Sequence, residues 1–188
     1  ASGHIVIEAL QGASRAGTLS WGAALTSSGA SVGIFAGGNI AAGGAVSAAA
    51  GYGVDMFAGA IGSSANGYGG NITLNHNLTG GSGTVVAFGG STNAGNIQAA
   101  PGTTVSADHI YIVGEGDVSL LGTVGTAATT SNTMKAGYNG SSFVGQHNLA
   151  IGASTAYGAN VFAEASGAVS GAFYGTGSLT LRSVYGGV

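Results

Sequence analysis

The sequence contains no cysteine, a single proline and only nine charged side chains among 188 residues. The missing thiols exclude disulfide cross-links and thiolate-held metals, so stability has to come from packing or assembly. The charged residues are Glu8, Arg15, Asp55, Asp108, Glu115, Asp117, Lys135, Glu164 and Arg182. That is 5% of the chain, against about 25% in an ordinary globular domain. Three basic residues cannot neutralise a run of phosphates, which argues against nucleic acid as a partner. A lone domain usually keeps itself soluble with many mixed charges. So little charge implies a surface of neutral Ser, Thr and Asn, or one largely covered by other copies of the chain.

Disorder does not follow from this scarcity. Disordered chains combine low hydrophobicity with high net charge or much proline. Here the mean hydropathy is +0.40 and the net charge is −3. Glycine, with 39 residues, shows no three-residue period, so a collagen helix is excluded. The stretch from Ala16 to Val54 is free of charge, but large apolar residues are too sparse in it for a membrane-spanning helix. No basic segment followed by an apolar run opens the chain, so no leader is visible. The small Ala1 suits an end left by cleavage.

What the sequence does contain is short alternating runs set between Gly and Asn. Gly70–Leu78 is the clearest, with Ile72, Leu74 and Leu78 on one parity and Thr73, Asn75 and Asn77 on the other, the period of a half-buried strand. His109–Ile112 and Ser178–Arg182 alternate in the same way, which predicts Ile72, Leu74, Ile110, Ile112, Leu179 and Leu181 as core-facing. Similar pairs are Ile5 with Ile7, Leu19 with Trp21, Val32 with Ile34, Val118 with Leu120 and Leu149 with Ile151. Glycine is too frequent in every window for stable helices. The expected fold is therefore all-β: one unit over residues 1–188, built as a Gly-rich β-solenoid or related stacked-sheet architecture, with a sandwich as the alternative. The triplet Gly-Asn-Ile recurs at 38–40, 70–72 and 95–97. In a solenoid it would sit at a corner, where Gly and Asn tolerate left-handed backbone.

The pattern Gly-Asn-Ile-x-Leu at 70–74, and the run from Gly95 through Val105 to Leu120, resemble the coils of filamentous-haemagglutinin-type secreted adhesins. The resemblance covers residues 70–125 and implies a secreted β-helix on a bacterial surface. Residues 126–160 depart from it, and no secretion-domain motif is present.

No catalytic constellation emerges. Gly-x-Ser-x-Gly is absent, and no Gly-Lys-Ser/Thr phosphate loop exists. His4, His76, His109 and His147 lack zinc-site spacing. The acidic cluster Asp108, Glu115 and Asp117 offers oxygen ligands suited to calcium, but it lacks the tandem Gly-Gly-x-Gly-x-Asp frame, and a solvated turn is the simpler reading. Asn71, Asn77 and Asn139 head N-glycosylation sequons. The tyrosines, often beside glycine, suit contacts with sugars or with another subunit.

The expectation is a non-enzymatic extracellular structural protein without a cofactor. It would self-assemble through β-strand contacts into a surface filament, sheath or matrix. The alternative is a monomeric solenoid stalk of a secreted adhesin that binds cell-surface glycans.

Overall fold

The computed structural model describes residues 1–9, 17–61, 64–65 and 67–186. They form a parallel β-solenoid of three faces, and no helix is present among them. The first face stacks Ile5–Ala9, Val32–Ala36, Gly53–Ala58, Ser82–Ala87, His109–Gly114 and Ser131–Ala136, then residues 160–165 and 178–183. The second stacks Leu19–Trp21, Ile40–Ala42, Ile72–Leu74, Ile97–Ala99 and Val118–Leu120, then residues 149–151 and 169–170. The third begins with Leu25–Thr26, Val46–Ser47, Leu78–Thr79, Thr104–Ser106 and Thr123–Val124. Every pairing in this 18-stranded sheet is parallel. The sandwich alternative is thereby set aside.

The alternation in the sequence becomes a set of vertical core columns. One runs Val32, Val54, Gly83, Ile110, Asn132 and Val161, and another runs Ile40, Ile72, Ile97, Val118 and Leu149. Their apolar members are almost completely buried. Ile72, Leu74, Ile110 and Ile112 lie in this core. Leu181 packs against it half-buried. Leu179 continues the column of Val161 but is 47% exposed, because it belongs to the last described rung and no described residue covers it. Gly70–Leu78, which reads as one alternating run, is two strands: Ile72–Leu74 and Leu78–Thr79 lie on different faces, and residues 75–77 turn the corner between them.

The Gly-Asn-Ile triplets stack at one corner. The expected left-handed backbone is found there at Gly95, with φ 77°, but at no described Asn. The asparagines instead form a side-chain ladder along the stack. Asn39 Oδ1 accepts the backbone N–H of Asn71 at 2.8 Å, and Asn71 Oδ1 accepts that of Asn96 at 2.9 Å. Asn96 Oδ1 accepts from Asp117 at 2.8 Å, Asp117 Oδ1 from Asn148 at 2.7 Å, and Asn148 Oδ1 from Ala168 at 2.9 Å. Each side chain satisfies a corner N–H that turns away from the strand ladder, a group that is costly to leave unpaired.

A longer repeat underlies the coils. From Ile5, the first face is revisited at Val32, Val54, Gly83, Ile110, Asn132 and Val161. The turns are unequal in length, but the inequality itself repeats. The turn from Ile5 to Val32 is as long as that from Gly83 to Ile110. Val32 to Val54 matches Ile110 to Asn132, and Val54 to Gly83 matches Asn132 to Val161. The resulting three-coil unit is visible in sequence as Met-x-Ala-Gly-x-x-Gly-Ser-Ser-x-x-Gly, at 56–67 and again at 134–145. In both copies an antiparallel excursion follows the strand, pairing Ala60 with Ala65 and Tyr138 with Phe143. Gly59 and Gly137 open these excursions at φ 70° and 72°, a conformation that side chains other than glycine rarely adopt. The excursion at 137–147 also accounts for the departure of residues 126–160 from the adhesin-like pattern: the stack continues beneath it.

Two substitutions test this arrangement. Ile112→Ala is expected to cost about 2–5 kcal/mol in chemical denaturation, as for other buried aliphatic truncations. Asn39→Ala, which orphans the Asn71 N–H, is expected to cost about 1–3 kcal/mol. Asn39→Asp keeps the acceptor, as Asp117 does naturally, and should retain most of the stability.

Candidate assembly interface

In a parallel coil stack each strand is paired above and below, except in the first and last coils. Among the described residues, Ile5–Ala9, Leu19–Trp21 and Leu25–Thr26 each pair with one strand only. At the other end, Val169–Ser183 pairs with Leu149–Ala165 alone among the described residues. The first face carries eight rungs, and the second and third seven each. Ile5, Ile7, Leu19, Trp21 and Leu25 are half-buried in the first coil, as are Phe173 and Leu181 on the last rungs of the third and first faces. Large apolar or aromatic side chains are also exposed there: Val6 at one end, and Tyr174, Leu179 and Tyr185 at the other. Unpaired strand edges are normally guarded by Lys, Pro or a covering loop. Neither end strand of the first face carries Lys or Pro.

The scarce charges are concentrated by the same register. Lys135, Glu164 and Arg182 occupy one column on three successive coils. Glu164 is buried, with Oε1 accepting from Arg182 Nη1 at 2.5 Å and Oε2 lying 3.8 Å from Lys135 Nζ. Lys135 Nζ also lies 4.1 Å above the Tyr138 ring, which ties the second excursion to the first face. Down the same column stand Val113, Val86, Phe57 and Phe35, and finally Glu8 on the first coil. Phe35 and Phe57 stack at 5.6 Å with an interplanar angle of 11°. The column thus begins in a carboxylate and ends in a guanidinium whose side chain is 62% exposed.

The other residues singled out by sequence have local tasks. Glu115 Oε2 accepts the Gly89 N–H at 2.9 Å, and Asp117 belongs to the corner ladder with His147 Nδ1 3.6 Å away. The backbone carbonyl of Asp108 receives N–H bonds from Thr130 and Ser131. Among the described residues, no group of three or more His, Asp or Glu is placed to hold a metal ion. Asn71 spends its side chain inside the stack, where Oδ1 serves the ladder and Nδ2 reaches Asn93 Oδ1 at 3.4 Å. Asn77 and Asn139 are exposed; their Oδ1 atoms accept from Thr104 and from Ser141 and Ser142. Burial, and after it the neighbouring Tyr138, raises the Tyr111 hydroxyl above the usual tyrosine range. An open groove on the second face, lined by Thr73, Gln98, Ser119 and Leu121, has no titratable side chain in its wall.

The three-coil charge column escapes sequence reading because its members stand on separate coils, a whole turn of chain between each and the next. Only the coil register joins them. Replacing Glu164 by Ala leaves Lys135 and Arg182 facing each other without their common anion. Because both cations keep access to water, the cost is expected near the lower end for broken buried pairs, about 2–3 kcal/mol. Limited proteolysis should then detect loosening of the last coil before the rest of the chain. No helix of the described residues is long and apolar enough to cross a membrane. No family model, no curated protein and no solved structure matches this chain.

Proposed function

We propose that the chain is a non-enzymatic structural subunit that self-assembles through β-strand contacts into an extracellular filament, sheath or matrix. The observation that carries this reading is a charge-poor parallel coil stack whose outermost described first-face strands, Ile5–Ala9 and residues 178–183, pair with described residues on one edge and carry neither Lys nor Pro. Burial of apolar surface favours association, and strand addition supplies such edges with partners. The low charge points the same way, since little like-charge repulsion opposes packing of copies. The extracellular setting rests on the adhesin-like coils at 70–125.

A second reading, the monomeric adhesin stalk, draws on Tyr52 and Tyr111, which are exposed away from the terminal coils and offer rings for stacking on sugars.

Negative-stain electron microscopy and sedimentation velocity across a concentration series separate the two. A single copy with eight rungs on its first face is about 38 Å long at the strand spacing of a sheet. The assembly reading expects rods that lengthen, and sedimentation coefficients that rise, with concentration. Rods of one length at every concentration would overturn it in favour of the stalk.

A further inference from the structure

We infer that Tyr157 and Tyr174 form a modification site, at which one-electron oxidation joins the two rings as dityrosine and staples two successive coils. This goes beyond the self-assembly reading and does not rest on it. The two tyrosines are direct partners in the parallel register, Tyr157 on one rung of the third face and Tyr174 on the next. The residues one step earlier, Ala156 and Phe173, face the core, so strand parity turns both rings outward. That orientation is set by the strand and not by what adjoins the last described coil. The ring centroids lie 6.1 Å apart at an interplanar angle of 60°. Val124 pairs with Ala156, which places Gly125 beneath Tyr157 in the same column. Along that column Tyr174 is therefore the side chain that adjoins the Tyr157 ring. A Cβ at Gly125 would fall 2.1 Å from the Tyr157 carbonyl oxygen, so nothing larger fits there. The same carbonyl accepts from Nδ2 of Asn132 at 3.0 Å, and Asn132 is fully buried. The core thus pins the Tyr157 backbone and leaves its ring half-buried at the surface.

The chemistry balances with a peroxide as the oxidant. Each phenol loses one electron and one proton and becomes a phenoxyl radical, whose unpaired spin reaches the ring carbons ortho to the oxygen. The two radicals couple through one ortho carbon each, forming a carbon–carbon bond. The hydrogens on those carbons then shift to the oxygens and restore both phenols. The peroxide, working through a haem peroxidase, takes the two electrons and two protons and leaves as water. Rotation of the rings about their side-chain bonds brings the ortho carbons together, because the backbones already stand one rung apart, about 4.8 Å. A partner held in place couples far faster than one that must arrive by diffusion. The radicals also meet no thiol, since the chain has no cysteine, and both methionines, Met56 and Met134, are fully buried. The one tryptophan, Trp21, stands on the first described rung of the second face, at the opposite end of the stack.

The test is brief treatment of the dilute folded chain with a haem peroxidase and hydrogen peroxide, read by dityrosine fluorescence and by mass. The expected product is a monomer lighter by the mass of two hydrogen atoms. Cleavage after glutamate in the denatured product parts the two tyrosines, so the cross-link should join residues 116–164 to residues 165–188. Tyr157→Phe and Tyr174→Phe keep the ring and remove the phenol. Each is expected to lower the fluorescence of the monomer about tenfold or more, whereas Tyr138→Phe and Tyr185→Phe, on the same two fragments, should leave it within a few-fold. Denaturing the chain before oxidation separates the rungs and should abolish the monomeric product. A cross-link between residues 9–115 and 116–164, as from Tyr111 to Tyr138, in place of the expected one would overturn the assignment. So would a signal that persists in both Tyr157→Phe and Tyr174→Phe, or oxidation that yields only covalent multimers or no dityrosine.

Discussion

Pairing of backbone groups between successive coils is the constraint on which the rest of this structure depends. A solenoid coil has no hydrogen-bonding partner within itself across a face. Its N–H and C=O groups are met only by the coils on either side. Within the stack that condition is satisfied rung after rung, and the inward-facing aliphatics come into register as a consequence. In the outermost described coils it is satisfied by described residues on one side only. The exposed Leu179 and half-buried Ile5 are therefore the same kind of residue as the fully buried Val54, differing only in how many coils surround them.

The corners show how a chain poor in charge still keeps its polar groups satisfied. A parallel face is interrupted three times per turn, and each interruption turns backbone N–H groups away from the strand ladder. Asparagine at successive corners answers this with one side-chain oxygen per coil, and Asp117 takes a place in the series without breaking it. Hence Asp117, which the sequence offers as a calcium ligand or, more simply, as a turn residue, has a structural task shared with four asparagines. The ladder stops at Ala168, which has no side-chain acceptor.

What could be read from the sequence follows from the same physics. Period-two alternation reports which side of a strand faces inward, and it placed Ile110 and Ile112 in the core because both neighbouring coils are present. It could not report burial at Leu179, which depends on a missing neighbour rather than on local pattern. Nor could it detect the corner within Gly70–Leu78: the turn at 75–77 leaves Leu78 on an inward position afterwards, so the parity looks unbroken. The Gly-Asn-Ile triplets marked the right corner; left-handed backbone holds at Gly95, while the asparagines act through side-chain acceptance instead. The three-coil repeat was present in the letters, anchored by the two methionines at 56 and 134. It is hard to see because glycine, serine and alanine recur by composition alone, and because single coils of unequal length obscure a period three coils long.

The repeat shows how one three-coil unit rests on another within this stack. Residues 56–67 and 134–145 place the same antiparallel excursion above the same strand position three coils apart. The stack thus already accommodates one copy of a unit upon another without change of register. Between units nothing is joined except by rung-to-rung contact and the covalent connection. Coils of unequal length therefore do not disturb the stack, because a corner can lengthen into a loop or an excursion while the strands on either side of it keep their rung spacing and their inward parity.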